Sequence, residues 1–419
     1  MNISRCFVSR TGHWWAGALL ACAIASPVEA HVSTITALFK PDSAHPHLNK
    51  FTNTTPPSGY CETHVQQCAD DLFSLQLPIQ LRSRGPILAN HPSQRQGAML
   101  KVPSDWRGLS VINQDTGDSQ RVQIRIAGIG TRVVTDDVME LVGGAENYQI
   151  AHNRLWGSSW VYPPQPCDYT GSGFYNTNYY EFFWRTPTLG ACAKQAKFNV
   201  PWLRFDYLDF AYELKTPDPL QMSSGHYTGS LTYTIGPNGD FDFGDVLIPS
   251  DSALTLNFNL EVQHTLKVDI PPGGEKVRLV PAGGWQSWLQ AGRKPVRLFR
   301  DQTFHISASS RFKMYYECQA WTTFDCTIKD ALGRRQVELQ VFVSLPNGLT
   351  DESGQPVRHR RLKAGPEGAQ IFQPGFYVDR APGVLHFEVP KEEVEWMLQQ
   401  PNVASPYTGS VTVIWDSEI

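Results

Sequence analysis

From Leu254 to Ile270 the chain reads LTLNFNLEVQHTLKVDI, apolar at every even position except His264 and polar at every odd one. Successive side chains point to opposite faces of a strand, so Leu254, Leu256, Phe258, Leu260, Val262, Leu266, Val268 and Ile270 share one face. At roughly 3.3 Å per residue such a strand would span about 55 Å, about three times the usual length. The reading that suits a globular chain is two strands meeting end to end near Gln263 and His264. The last strand of one β-domain then runs directly into the first strand of another, which predicts domains at 31–262 and 263–419.

An internal repeat supports the division: Tyr227 to Ile235 reads YTGSLTYTI and Tyr407 to Trp415 reads YTGSVTVIW. Each copy has the composition of a late strand in its domain. After the first copy a turn at Pro237-Asn238-Gly239 leads into the long alternating stretch, which can supply a partner strand; after the second only Asp416 to Ile419 follow. The second domain is therefore expected to lack its final strand. An unfinished sandwich exposes unpaired backbone groups beside an uncovered core and invites a strand from another chain. The groove would lie between Leu266, Val268 and Ile270 on one side and Val411, Val413 and Trp415 on the other.

Residues 1–30 carry Arg5 and Arg10, an apolar run from Trp14 to Ala25, and the small-x-small sequence Val28-Glu29-Ala30, the pattern of a secretory signal peptide. The run is short of the ~20 residues that a bilayer span needs. A formal net charge of −4, one unit more negative without that segment, offers no support for nucleic-acid binding. The 33 glycines and 30 prolines, with little helical periodicity, point to mainly β structure. The clearest helix is KEEVEWMLQQ, Lys391 to Gln400, between Pro390 and Pro401 with acids in its first turn.

Of eight cysteines, Cys6 and Cys22 fall in the signal segment, leaving Cys61, Cys68, Cys167, Cys192, Cys318 and Cys326. In an oxidising compartment an even number reads as disulfides, although six cysteines allow about fifteen pairings. Four fall before the division and two after it, which favours Cys61–Cys68, Cys167–Cys192 and Cys318–Cys326. No CxxC or clustered His accompanies them, so metal binding is the weaker reading.

The aromatics Trp156, Trp160, Tyr162, Tyr169, Phe174, Tyr175, Tyr179, Tyr180, Phe182 and Phe183 crowd a stretch broken by Pro, Gly and Asn. Their ordinary role is to fill a core and a disulfide-tied loop. A sharper one gives Trp156, Trp160 and Tyr162 to a receptor, with Arg82, Arg84, Arg107, Arg154 and Arg185 as a patch for an anionic ligand. There is no GxSxG elbow, HExxH helix, P-loop or strand-following GxGxxG. Asp240, Asp242 and Asp245 hint at calcium without EF-hand spacing. His31 would become the first residue after cleavage, and with His45, His47 or His152 it defines the alternative of a secreted copper-dependent polysaccharide monooxygenase. A secreted chaperone-like protein is a third class.

The runs YTGSLTYTIGPNGDFDFGD, LTLNFNLEVQHTLKVDIPP, SSRFKMYYEC and YTGSVTVIWD resemble the initiator and tip-adhesin family of alternate chaperone-usher fimbriae. The resemblance extends over most of the chain after residue 30 and is firmer past residue 263. It implies an all-β fold of two immunoglobulin-like β-sandwich domains in tandem, the second lacking its final strand. It further implies a non-enzymatic minor subunit without cofactor, exported through the periplasm to the fimbrial tip, where it starts assembly and mediates adhesion. The implied partners are a periplasmic fimbrial chaperone, an outer-membrane usher, a major pilin subunit donating a β-strand, and a host glycan or protein receptor. One departure is Pro237-Asn238-Gly239-Asp240, where the family's adhesin is expected to carry adjacent arginines. No receptor-binding residue is carried over from the family.

Overall fold

The computed structural model describes residues 30–68, 71–292, 294–320, 325–399 and 406–417. The signal segment up to Glu29 lies outside the described residues, and Ala30 opens the first strand. The fold is all-β with short helices. Before residue 263 the main strands are β1 (Ala30–Phe39), β2 (Leu72–Leu77), β3 (Arg107–Asn113), β4 (Ser119–Val134), β5 (Asp168–Tyr175), β6 (Tyr179–Arg185), β7 (Leu208–Lys215), β8 (Gly225–Thr234) and β9 (Ala253–Val262). The order β4-β3-β8-β9-β1 runs through one large sheet, which also takes in β7 and β6 through β4, β2 through β7 and β5 through β6.

The alternating stretch is two strands in different sheets: β9 stops at Val262 and β10 (Leu266–Asp269) follows. In β9 the even positions Leu254 to Val262 are all buried. Between the strands, His264 Nε2 lies 2.8 Å from the Met222 carbonyl and Nδ1 3.2 Å from Ser309 Oγ, while its ring meets Phe39 edge-on. Burial lowers the His264 pKa.

Local chemistry explains where elements break. Leu75, Leu77, Ile79 and Leu81 are all buried, yet Pro78 withholds a ladder donor and β2 ends at Leu77 before a short strand resumes at Leu81–Ser83. Gly128 and Gly130 in β4 lie under the Phe183 ring, where an added Cβ would come within 2.5 Å of it. Helix α1 (Tyr148–Trp156) is capped by Asn147, whose side chain accepts from the Ile150 N–H. The aromatic stretch expected to fill a core and a disulfide-tied loop is largely the β5–β6 hairpin, with Trp156, Trp160, Tyr180, Phe182 and Phe183 buried.

Past residue 263 the strands after β10 are β11 (Leu298–Ala308), β12 (Phe312–Cys318), β13 (Cys326–Asp330), β14 (Gln336–Ser344), β15 (Gln370–Pro374), β16 (Val378–Val389) and β17 (Val411–Asp416). They form one sheet in the order β10-β11-β16-β14-β13, continued by Tyr407–Thr408, and a second in which β15, β12 and β17 are neighbours. Helix α2 (Gly284–Ala291) lies between β10 and β11 in the chain, and α3 (Lys391–Leu398) follows β16. The helix expected to reach Gln400 ends at Leu398, and Gln400 lies outside the described residues. One large cluster of buried apolar side chains draws on residues 35–262 and another on residues 298–394. The bridges are Cys61–Cys68, Cys167–Cys192 and Cys318–Cys326.

Candidate strand-accepting groove and receptor residues

Among the described residues strand β10 is an edge, paired with β11 alone through Leu266↔Ala308 and Val268↔Ile306. Strand β17 is the edge of the facing sheet, and among the described residues it pairs with β12 alone, through Val411↔Cys318, Val413↔Tyr316 and Trp415↔Met314. Between the two edges lie Phe304, Ile306, Ala308, Met314 and Tyr316, all fully buried. The Trp415 ring crosses to the facing sheet and meets Phe304 with centroids 5.5 Å apart. Leu266, Val268, Val411, Val413 and Trp415 are only half-buried although they pack on this core. Trp415 Nε1 is a buried donor with no acceptor among the described residues.

Ile270, expected as the third residue of the first edge, lies beyond the end of β10 and is 44 % exposed. It turns into the 270–274 loop, where a Cβ on Gly274 would come 2.6 Å from its Cγ2. The groove floor was not singled out from sequence. Its signal was there: Phe312, Met314 and Tyr316 alternate within RFKMYYEC, as do Phe304, Ile306 and Ala308.

The two YTGS copies differ in their neighbours. In the first, Tyr227–Thr228 pairs with β3, and β9 runs antiparallel along the whole strand, placing Leu260, Phe258, Leu256 and Leu254 opposite Tyr227, Gly229, Leu231 and Tyr233. Strand β9 is held on its other side by β1, which runs parallel to it. In the second copy Tyr407–Thr408 pairs with β13 and Val411–Asp416 with β12, and no further described strand pairs with either. Gly229 and Gly409 both lie close over a neighbouring strand, with an added Cβ 2.4 Å from the Ser110 carbonyl in one case and 2.8 Å from Ile328 Cγ2 in the other.

The receptor candidates separate. Trp160 is fully buried, stacked on Trp184 and Phe182, and Trp156 is 3 % exposed against it, so neither offers a face to a ligand. Both belong to the core. Tyr162 is exposed and stacks on exposed Tyr169 with centroids 5.6 Å apart.

The arginines do not make one free patch. Arg84 donates to the Asp245 carbonyl and Arg107 to the Asp240 carboxylate, both in the 240–245 loop. Arg154 donates to the Gly144 carbonyl and Arg185 to the Gln67 carbonyl. Arg82 sits in a three-residue strand between Arg204 and Ile248. A guanidinium committed to a carbonyl or carboxylate of the fold keeps fewer donors for a ligand.

The carboxylates read as a possible calcium site are turned to arginine. Arg95 binds Asp242 at 2.8 Å and Asp245 at 2.7 Å, and Asp240 takes Arg107 at 2.6 Å. Burial alone would raise the Asp242 carboxyl, but Arg95 and the Gly244 N–H hold it below its ordinary value. The histidines of the copper alternative are dispersed. His31 lies opposite Leu254 in β1, His45 bonds Asp42, His47 packs on Phe376, and His152 is buried with Nε2 on the Asn176 carbonyl. Among the described residues no three His, Cys, Asp or Glu side chains are grouped to hold a metal ion.

No protein-family model and no curated protein matches the chain. Among solved structures, a chaperone–tip adhesin complex of CFA/I fimbriae biogenesis overlaps 94% of this chain and 98% of its own, at 9% identity and a TM-score of 0.26. CfaE, the adhesive subunit of the CFA/I fimbria of enterotoxigenic Escherichia coli, overlaps 92% of each chain at 10% identity and a TM-score of 0.26. The CsuC–CsuE chaperone–tip subunit complex of Acinetobacter baumannii Csu pili overlaps 93% and 98% at 9% identity and a TM-score of 0.20. Likeness at this level establishes neither family nor function.

Proposed function

We propose that the chain is a fimbrial tip subunit whose residues 263–419 form a pilin domain completed by a strand from another protein, and whose residues 31–262 form the adhesive domain. The observation that carries this reading is the pair of facing edges, β10 and β17, each with a half-buried apolar row beside a fully buried floor. The first part of the chain supplies the template: a completing strand would take the place that β9 holds between β8 and β1. It would run antiparallel to β17 and parallel to β10, with an apolar residue at every second position. Matching the two YTGS copies sets Val411 and Val413 beside the residues equivalent to Leu256 and Leu254.

During export a periplasmic chaperone strand would occupy the groove, and at an outer-membrane usher a major pilin would replace it. The sequence resemblance to tip initiators implies the same partners. Each large apolar side chain inserted would contribute about 1.5–3 kcal/mol, besides the recovered backbone hydrogen bonds. The test is to append, through a flexible linker after Ile419, a strand of the β9 sequence Ala253–Val262 or of the cognate pilin. The expected result is a monomer whose melting temperature rises sharply. An unextended chain that is already monomeric, and equally heat-stable with and without the appended strand, would overturn the reading.

A further inference from the structure

We propose that a cleft beside Trp106 binds a neutral pyranose sugar. The cleft has a volume of about 240 Å³, with Pro103, Trp106 and Leu189 as its apolar walls and Asp105, Arg107 and Asp240 as its polar ones. The volume lies below the roughly 300–1,000 Å³ of sites for drug-sized ligands and suits a single ring.

Trp106 is positioned without being buried. It stands just before β3, and the Lys215 ammonium and the Arg125 guanidinium lie 4.1 and 5.2 Å from its ring centroid. Two cations over one indole fix its plane, and a fixed indole in an open cleft is a platform for the C–H face of a pyranose.

The polar side is equally anchored. Asp240 accepts from Arg107 at 2.6 Å and from the Thr234 N–H and hydroxyl at 2.8 and 2.9 Å. The Arg107 guanidinium rests over the Tyr233 ring, 4.9 Å from its centroid. Arg107 thus keeps donors beyond the one given to Asp240, and exposed Asp105 offers carboxylate oxygens. Sugar hydroxyls need donors and acceptors side by side, and the cleft supplies both.

Charge decides between sugar classes. Lys101 also borders the cleft, so on its polar wall Lys101 and Arg107 face Asp105 and Asp240, while of the two cations on the Trp106 ring Arg125 is paired with Glu213 and Lys215 adds one positive charge. A carboxylated sugar would meet the exposed Asp105 carboxylate and an Arg107 already paired with Asp240, while a neutral one meets no like charge there. This inference deepens the adhesive half of the proposed function and rests on that reading for its role, but not on strand completion.

The test titrates the full chain with the methyl glycosides of glucose, galactose, mannose and N-acetylglucosamine, and with N-acetylneuraminic acid, followed by saturation-transfer NMR. At least one neutral glycoside should bind saturably, and better than N-acetylneuraminic acid. Trp106→Ala and Asp105→Asn should each weaken it by about tenfold or more. Asp105 is exposed, so its variant keeps the test sound if Trp106→Ala fails to fold. Absence of saturable neutral binding, preference for the acidic sugar, or binding unchanged in a folded variant overturns the cleft. Adhesion to host cells that survives Trp106→Ala would overturn the cleft alone and leave the adhesive reading standing.

Discussion

Asp209 should make the stability of the chain fall as pH rises from acid to mildly alkaline. Its side chain sits in β7, between Gln76 of β2 and Gly130 of β4, and is 6 % exposed. The carboxyl accepts the Tyr60 N–H, while Oδ1 is buried with no partner among the described residues, and a Cβ at Gly59 would come 2.5 Å from the carboxylate. Burial pushes its pKa up from 3.8 to about 8, against the lowering effect of the Tyr60 bond. The folded state therefore holds this proton up to about pH 8 while the unfolded chain releases it near 3.8. The contribution is fully present below 3.8 and is lost as pH climbs through about 8. A shift of this size corresponds to about 6 kcal/mol at roughly 1.4 kcal/mol per pH unit. Asp209→Asn keeps the acceptor for Tyr60 and removes the charge. Urea unfolding of both proteins at pH 5, 7 and 9 should show the wild type losing several kcal/mol relative to the variant across that range. Parallel pH profiles would refute the reasoning.

Arg95→Ala strips Asp242, whose side chain is 4 % exposed, of its charged partner, and should cost about 3 kcal/mol in a denaturant melt, with Asp242→Asn restoring part of it. Val413→Asp puts a charge in the groove wall and should abolish capture of a β9-sequence peptide in a pull-down, while glycoside titration stays unchanged. Replacing Cys167 and Cys192 together by Ser should lower stability by about 2–4 kcal/mol, read from thermal unfolding under non-reducing conditions.

What the sequence revealed and what it concealed follow the range of the interactions. The period-two pattern from Leu254 to Val262 is local, and every apolar residue in it is buried in β9. The cysteine pairs are close in the chain, so their partners were legible too. Arg107 and Asp240 lie 133 residues apart, and nothing local tells a guanidinium held by such a partner from a free one. Trp160 and Tyr162 are two residues apart, yet one is in the core and the other in solvent, because α1 and the β5–β6 hairpin decide which ring is covered. Trp106, between Asp105 and Arg107 at the head of β3, carries no local signal that sets it apart from other aromatics, because the cations over its ring come from β4 and β7. Ile270 obeyed the alternation but fell past the end of β10, since periodicity fixes a face and not where pairing stops.

Amide hydrogen exchange across Val411–Asp416 tests the open groove most directly, because an unpaired edge leaves every second N–H of β17 pointing away from β12 into solvent. The account predicts that those amides exchange rapidly in the chain alone and become strongly protected, together with the amides of Leu266–Asp269 that point away from β11, once a β9-sequence strand is bound. Protection of these amides in the unbound chain equal to that of β11 and β12 would contradict it.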